Sequence, residues 1–85
     1  LFPTIGISAA AYFVKIATQH PFKDGNKRMA VFYTDVFLSV NDVFLTLDYK
    51  NMYELAIFVV KEKGLGTPAE ELQGFVELVI ERNCE

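Results

Sequence analysis

Six apolar side chains, Met29, Phe32, Tyr33, Val36, Phe37 and Val40, recur at i, i+3, i+4, i+7, i+8 and i+11. A backbone with 3.6 residues per turn gathers all six on one face, which predicts a helix over residues 26–40. A face this apolar calls for burial. The expectation is therefore that this helix lies at the centre of the fold.

Three further helices fit the pattern. Residues 7–19 form the first, with Tyr12, Phe13, Ile16 and Ala17 turned inward. It stops at the His20-Pro21 step, because proline disfavours the helical region for the residue before it. Asn41-Asp42 interrupts the chain, and Val43-Phe44-Leu45-Thr46-Leu47 reads as an extended connector. Asp48 is an N-cap for a helix over residues 49–63, closed by Gly64 as the left-handed residue. Leu55, Ala56, Ile57, Phe58, Val59 and Val60 make that helix apolar nearly all round, so neighbours are expected on most sides. Thr67-Pro68-Ala69-Glu70 reads as a capping box with proline at the first helical position. The helix it opens has Leu72, Phe75, Val76, Val79 and Ile80 as one stripe, with Glu71, Glu77 and Glu81 solvated. The fold class is all-α, a compact bundle around the 26–40 helix.

At 85 residues the chain holds one domain, residues 1–85. Its 52% hydrophobic content is enough for a core and excludes disorder, which needs low hydrophobicity and high net charge. A net charge of −3 supplies no general basic field, so direct nucleic-acid binding and attraction to an anionic membrane are not expected. No apolar run approaches the ~20 residues that span a bilayer. Cys84 is the single cysteine and has no intrachain partner, which fits a reducing cytoplasm. The opening Leu1-Phe2-Pro3, without an initiator Met, suggests that an N-terminal part of a longer protein is missing. Apolar surface left uncovered there would favour dimers or aggregation.

The chemistry concentrates in His20-Pro21-Phe22-Lys23-Asp24-Gly25-Asn26-Lys27-Arg28. A proline and a glycine bracket a short loop that holds the only histidine and runs into the strongest helix. That helix opens with Asn26, Lys27 and Arg28. Cations at a helix N-terminus are disfavoured by roughly 0.3–1 kcal/mol each, so two in succession break a local rule. Helix-tip amides with a lysine, an arginine and an asparagine suit a polyphosphate. Asp24 offers a hard oxygen ligand for Mg²⁺, which takes one or two carboxylates when it also binds substrate phosphates. His20, with an ordinary pKa near ~6.5, can accept a proton from an attacking hydroxyl. Phosphate clamps, a metal ligand and a base are the parts of phosphoryl transfer.

This stretch resembles the signature of the Fic/Doc family, and within it the death-on-curing (Doc) branch. Leu1-Phe2-Pro3-Thr4 and the alanine-rich helix after it resemble what precedes the motif in Doc-like proteins. The resemblance implies an all-helical fold in which ATP and Mg²⁺ are used to modify the hydroxyl of a protein target. It implies His20 as general base, Phe22 as loop anchor and Asp24 as Mg²⁺ ligand. Gly25 and Asn26 would form the anion hole, and Lys27 and Arg28 would lie at the nucleotide phosphates.

Two positions bear on which group is transferred. The AMP-transferring Fic branch has a second glycine after the asparagine and a further arginine; here those positions hold Lys27 and Val31. In Doc the same lysine accompanies a reversed nucleotide and transfer of the γ-phosphoryl. The resemblance thus leans towards a Doc-like toxin phosphorylating a Ser or Thr of a target such as elongation factor Tu, held in check by an antitoxin. Gly25 before Asn26 is the more Fic-like choice, which keeps AMP transfer as the alternative, beside a catalytically silent antitoxin-binding module. Oligomeric state is left open.

Singly, these residues have plainer explanations. His20 alone would bond local carbonyls at a helix end, Asp24-Gly25 alone is a common turn, and Lys27-Arg28 alone is a solvated pair. Lys15, Lys23, Lys50 and the Lys61-Glu62-Lys63 run read as solvated charges. Cys84 has no base-like neighbour and is no nucleophile. Only the conjunction points to a site.

Overall fold

A computed structural model describes residues 3–19 and 25–85. Four helices follow in order: α1 (Pro3–Thr18), α2 (Asn26–Val40), α3 (Tyr49–Gly64) and α4 (Ala69–Arg82). The all-α expectation holds, and α2 has the predicted bounds.

The centre of the bundle is α1. It packs against all three other helices, whereas among the described residues no Cα of α2 comes within 8 Å of one in α4. The buried positions of α1 are Gly6, Ala9, Ala10, Phe13, Val14 and Ala17. Four of these six are glycine or alanine, which lets neighbouring backbones come close while Phe13 and Val14 fill the remaining space. Of the predicted inward residues, Phe13 and Ala17 are buried and Ile16 is half-buried, but Tyr12 is exposed.

The expected orientation of α2 is overturned. Its buried face is Asn26, Ala30, Val31, Thr34 and Leu38. The stripe read as core stands largely outside: Met29, Phe32, Tyr33, Val36 and Val40 are exposed, and Phe37 is half-buried. The cause is steric. The small side chains Ala30 and Thr34 share a face with Leu38, and that face fits the small-residue surface of α1, whereas six bulky groups would hold the helices apart. Tyr12 covers one shoulder of the outer stripe, meeting Tyr33 and Phe37 edge-on at ring separations of 5.3 and 5.5 Å.

Helix α3 is also less covered than its composition suggests. Met52, Ala56 and Val59 are buried, while Ile57 and Phe58 lie in the open. Phe58 leans on the equally exposed Phe75 of α4 at 5.4 Å. In α4, Leu72, Val76 and Ile80 carry the burial expected of the whole stripe.

The helix ends explain the connections. Asp48 caps α3 as read, its carboxylate accepting from the Asn51 N–H at 2.9 Å. Gly64, however, is the last helical residue, and it is Gly66 that takes positive φ, at 98°. Gly66 N–H donates to Lys63 O and Thr67 N–H to Glu62 O, the two bonds of a Schellman closure. That closure engages Thr67, whose hydroxyl also donates to Glu62 Oε1 at 3.0 Å. The capping box is therefore not formed. Pro68 takes the N-cap position without a side-chain cap, and Glu70 and Glu71 offset the helix dipole instead. Helix α2 ends with the same pair of bonds, Asp42 N–H to Ser39 O and Val43 N–H to Leu38 O, and Asp42 sits at φ 61° where glycine is usual. The connector is extended as expected: Leu45 bridges antiparallel to Cys84, tying the middle of the α2–α3 link to the end of the chain.

Candidate functional site

The site begins where α1 ends. Thr18 Oγ1 donates back to Val14 O at 2.7 Å, and the Gln19 N–H still bonds Lys15 O, so the helical course persists to Gln19. At the other side of residues 20–24, Gly25 adopts φ 134°, a conformation that L side chains rarely take. Among the described residues, a Cβ there would meet nothing within 4 Å. Glycine is therefore required by the backbone conformation itself. Gly25 O receives the Met29 N–H at 2.8 Å, which opens α2.

Asn26 joins the two sides. It is 8% exposed, and its carboxamide Nδ2 donates to the Gln19 carbonyl. One residue thus ties the end of α1 to the start of α2, across the segment that holds His20, Phe22 and Asp24. Those three residues, and with them the expected base, anchor and metal ligand, lie outside the described residues.

The first turn of α2 carries no acidic residue, and its N-cap residue is glycine, which has no side chain to cap it. The N–H groups of Lys27 and Arg28 belong to that turn and have no intrahelical carbonyl to bond. Lys27 is half-buried and Arg28 is exposed. Gly25, Asn26, Lys27 and Arg28 are thus together at one helix tip, with positive potential from backbone and side chains alike. Val31 is 4% exposed and packs into the core, so the position where a second arginine was looked for faces inward. Among the described residues no group of three or more His, Cys, Asp or Glu side chains could hold a metal ion. No described helix is long and apolar enough to cross a membrane.

Sequence reasoning missed Gln19. It takes part through its main-chain carbonyl, which residue type does not reveal. It missed as well that Gln19 borders a hollow of about 390 Å³ shared with Lys15, Thr18, Lys63 and Gln73. Lys15 and Lys63 are both exposed, as expected of solvated charges, and helix packing brings them to the same hollow.

Residues 2–38 match the model of the Fic/DOC family. The match takes in the 20–28 segment with α1 and most of α2, a little under half of the chain. It supports the Fic/DOC family and, broadly, the transfer of nucleotide or phosphate groups; it does not single out a branch. No curated protein and no solved structure matches the chain.

Proposed function

We propose that this chain is a Fic/DOC-family transferase of the Doc-like branch, which moves a phosphoryl group from ATP to a Ser or Thr hydroxyl of a protein target such as elongation factor Tu. The observation that supports the reading is the first turn of α2. Within the family match, Gly25, Asn26, Lys27 and Arg28 come together at a helix tip five residues on from the only histidine, and the first turn of that helix holds no acidic residue. Such a tip fits a polyphosphate.

In this reading Arg28 and Lys27 bind the nucleotide phosphates, and Gly25, having no side chain, lets them approach the backbone. Asp24 would hold Mg²⁺, which when bound offsets the charge gathered on the phosphate oxygens. His20 accepts the proton of the target hydroxyl as its oxygen bonds to the γ-phosphorus. The bond from that phosphorus to the β–γ bridging oxygen breaks, and ADP departs. Asn26, anchored on Gln19, fixes where the histidine segment meets the helix. Lys27 in place of a glycine, and the buried apolar Val31 in place of an arginine, favour γ-phosphoryl over AMP transfer. An antitoxin partner and a cytoplasmic setting belong to the same reading.

The test is to incubate the chain and its His20→Ala variant with ATP labelled at either the α or the γ phosphate, in cell extract as the source of targets. The reading expects protein-bound label from the γ position only, absent with His20→Ala. Label from the α position only would establish AMP transfer, the alternative that the Gly25-Asn26 pair favours. Label from neither would leave a silent binding module.

A further inference from the structure

A smaller hollow, of about 170 Å³, opens between α2, the connector and the start of α3. Its buried floor is Val31 and Met52, and the half-buried Leu45 and Leu47 wall it. Phe32 and Tyr49, 62% and 54% exposed, stand at its mouth beside Asp35. Tyr49 is held near-parallel to Tyr53, with ring centroids 6.0 Å apart and 25° between the planes. Among the described residues the Asp35 carboxylate has no ion-pair or hydrogen-bond partner. An apolar slot with aromatic rings and one acceptor at its rim suits a flat heterocycle that carries an amino group. The volume admits one ring system, since sites for drug-sized ligands run to ~300 Å³ or more.

We infer that this hollow receives the adenine ring of the nucleotide whose phosphates lie at the tip of α2, with the amino group of the base donating to Asp35. The inference rests on the proposed transferase activity and adds to it where the base goes and what selects it. Position carries the argument. Arg28, Phe32 and Asp35 stand at i, i+4 and i+7, on one side of the helix. Asp35 is about 10 Å along the axis from Arg28, at 1.5 Å per residue. A ribose with its phosphates spans a comparable length, so one extended nucleotide reaches from the tip to the hollow. The direction follows. With the base beyond Arg28, the terminal phosphate is the end that meets the tip, into which the His20 segment leads. That is the order γ-phosphoryl transfer needs. An apolar side chain from a partner would fill the floor but bring Asp35 no donor, which disfavours it as the occupant.

Calorimetric titration of the whole chain in Mg²⁺ tests this with ATP, purine riboside triphosphate, which lacks the amino group, and tripolyphosphate, which lacks the nucleoside. Wild type is expected to bind ATP about tenfold more tightly than purine riboside triphosphate, and tripolyphosphate more weakly than either. Asp35→Ala, at an exposed helical site, should remove the preference for the amino group and leave tripolyphosphate binding and helical circular dichroism unchanged. Tyr49→Ala should weaken both purine triphosphates about fivefold or more. Tripolyphosphate that binds as tightly as ATP, or a preference for the amino group that survives Asp35→Ala, overturns the inference and leaves the proposed function standing. Absence of binding by both ATP and tripolyphosphate overturns the two together.

Discussion

The Asn26 carboxamide donates to the Gln19 carbonyl, binding the start of α2 to the end of α1 across the residues that contain the only histidine. An amide at position 26 is thereby a structural requirement as well as a candidate phosphate neighbour. Removing it from a residue that is itself only 8% exposed loses a part-buried hydrogen bond, at a cost of about 0.5–1.5 kcal/mol. Asn26→Ala and Asn26→Asp should both lower the free energy of urea unfolding by an amount in that range. Loss within a few tenths of a kcal/mol would mean that the bond does not hold the two helices together.

The two Schellman closures differ in the residue at the left-handed position, and that difference is measurable. Asp42 closes α2 at φ 61°, where a Cβ costs about 1 kcal/mol, so Asp42→Gly should raise stability by up to that amount. Gly66 closes α3 at φ 98°, so Gly66→Ala should destabilise by about 1 kcal/mol or more. Gly64, the last residue of α3 and without positive φ, meets no described atom where a Cβ would sit, so Gly64→Ala should gain about 0.4–1 kcal/mol. Thermal melts of the three variants read out all three signs.

Why the sequence identifies α2 but not its buried side follows from this geometry. The bounds at Asn26 and Val40 are set by Gly25 and the Asn41-Asp42 turn, and both are local. The choice of face is not local. It depends on Gly6, Ala9, Ala10 and Ala17 of α1, which admit a helix only where the approaching side chains are small. Hydrophobic periodicity weights Phe32 and Tyr33 above Ala30 and Thr34, so it points to the wrong side. The same holds at the α3 end, where Gly64 and Gly66 are equivalent in sequence and only the hydrogen bonds of Gly66 and Thr67 separate them. At the site, the residue types of the motif were legible, but the acceptor for Asn26 is a main-chain atom and left no trace in composition.

Thr34 is fully buried on the α2 face that holds Ala30 and Leu38, and among the described residues its hydroxyl has no hydrogen-bond partner. A buried hydroxyl without a bond costs about 1–3 kcal/mol of desolvation, and valine has the same shape without it. Thr34→Val should therefore stabilise the chain by about 1 kcal/mol in urea unfolding. A loss of stability would show that the hydroxyl finds a partner in solution.

Asp48 is exposed and caps α3 with its carboxylate, which accepts the Asn51 N–H, while its main-chain carbonyl accepts the Met52 N–H. Asp48→Ala should cost about 1 kcal/mol, and Asp48→Asn or Asp48→Ser much less, since both keep an acceptor oxygen. Equal losses for all three substitutions would instead point to the charge of Asp48 rather than its hydrogen bond.

The central claim is that the first turn of α2 receives the phosphates of a nucleotide, and amide NMR of the folded chain titrated with Mg²⁺ and ATP reads it most directly. The account predicts saturable shifts of the Gly25, Lys27 and Arg28 amides, weakened about tenfold or more by Arg28→Ala with folding unchanged. If those resonances stay in place while the rest of the spectrum shows an intact fold, the helix tip is not a nucleotide site and the proposed activity falls with it.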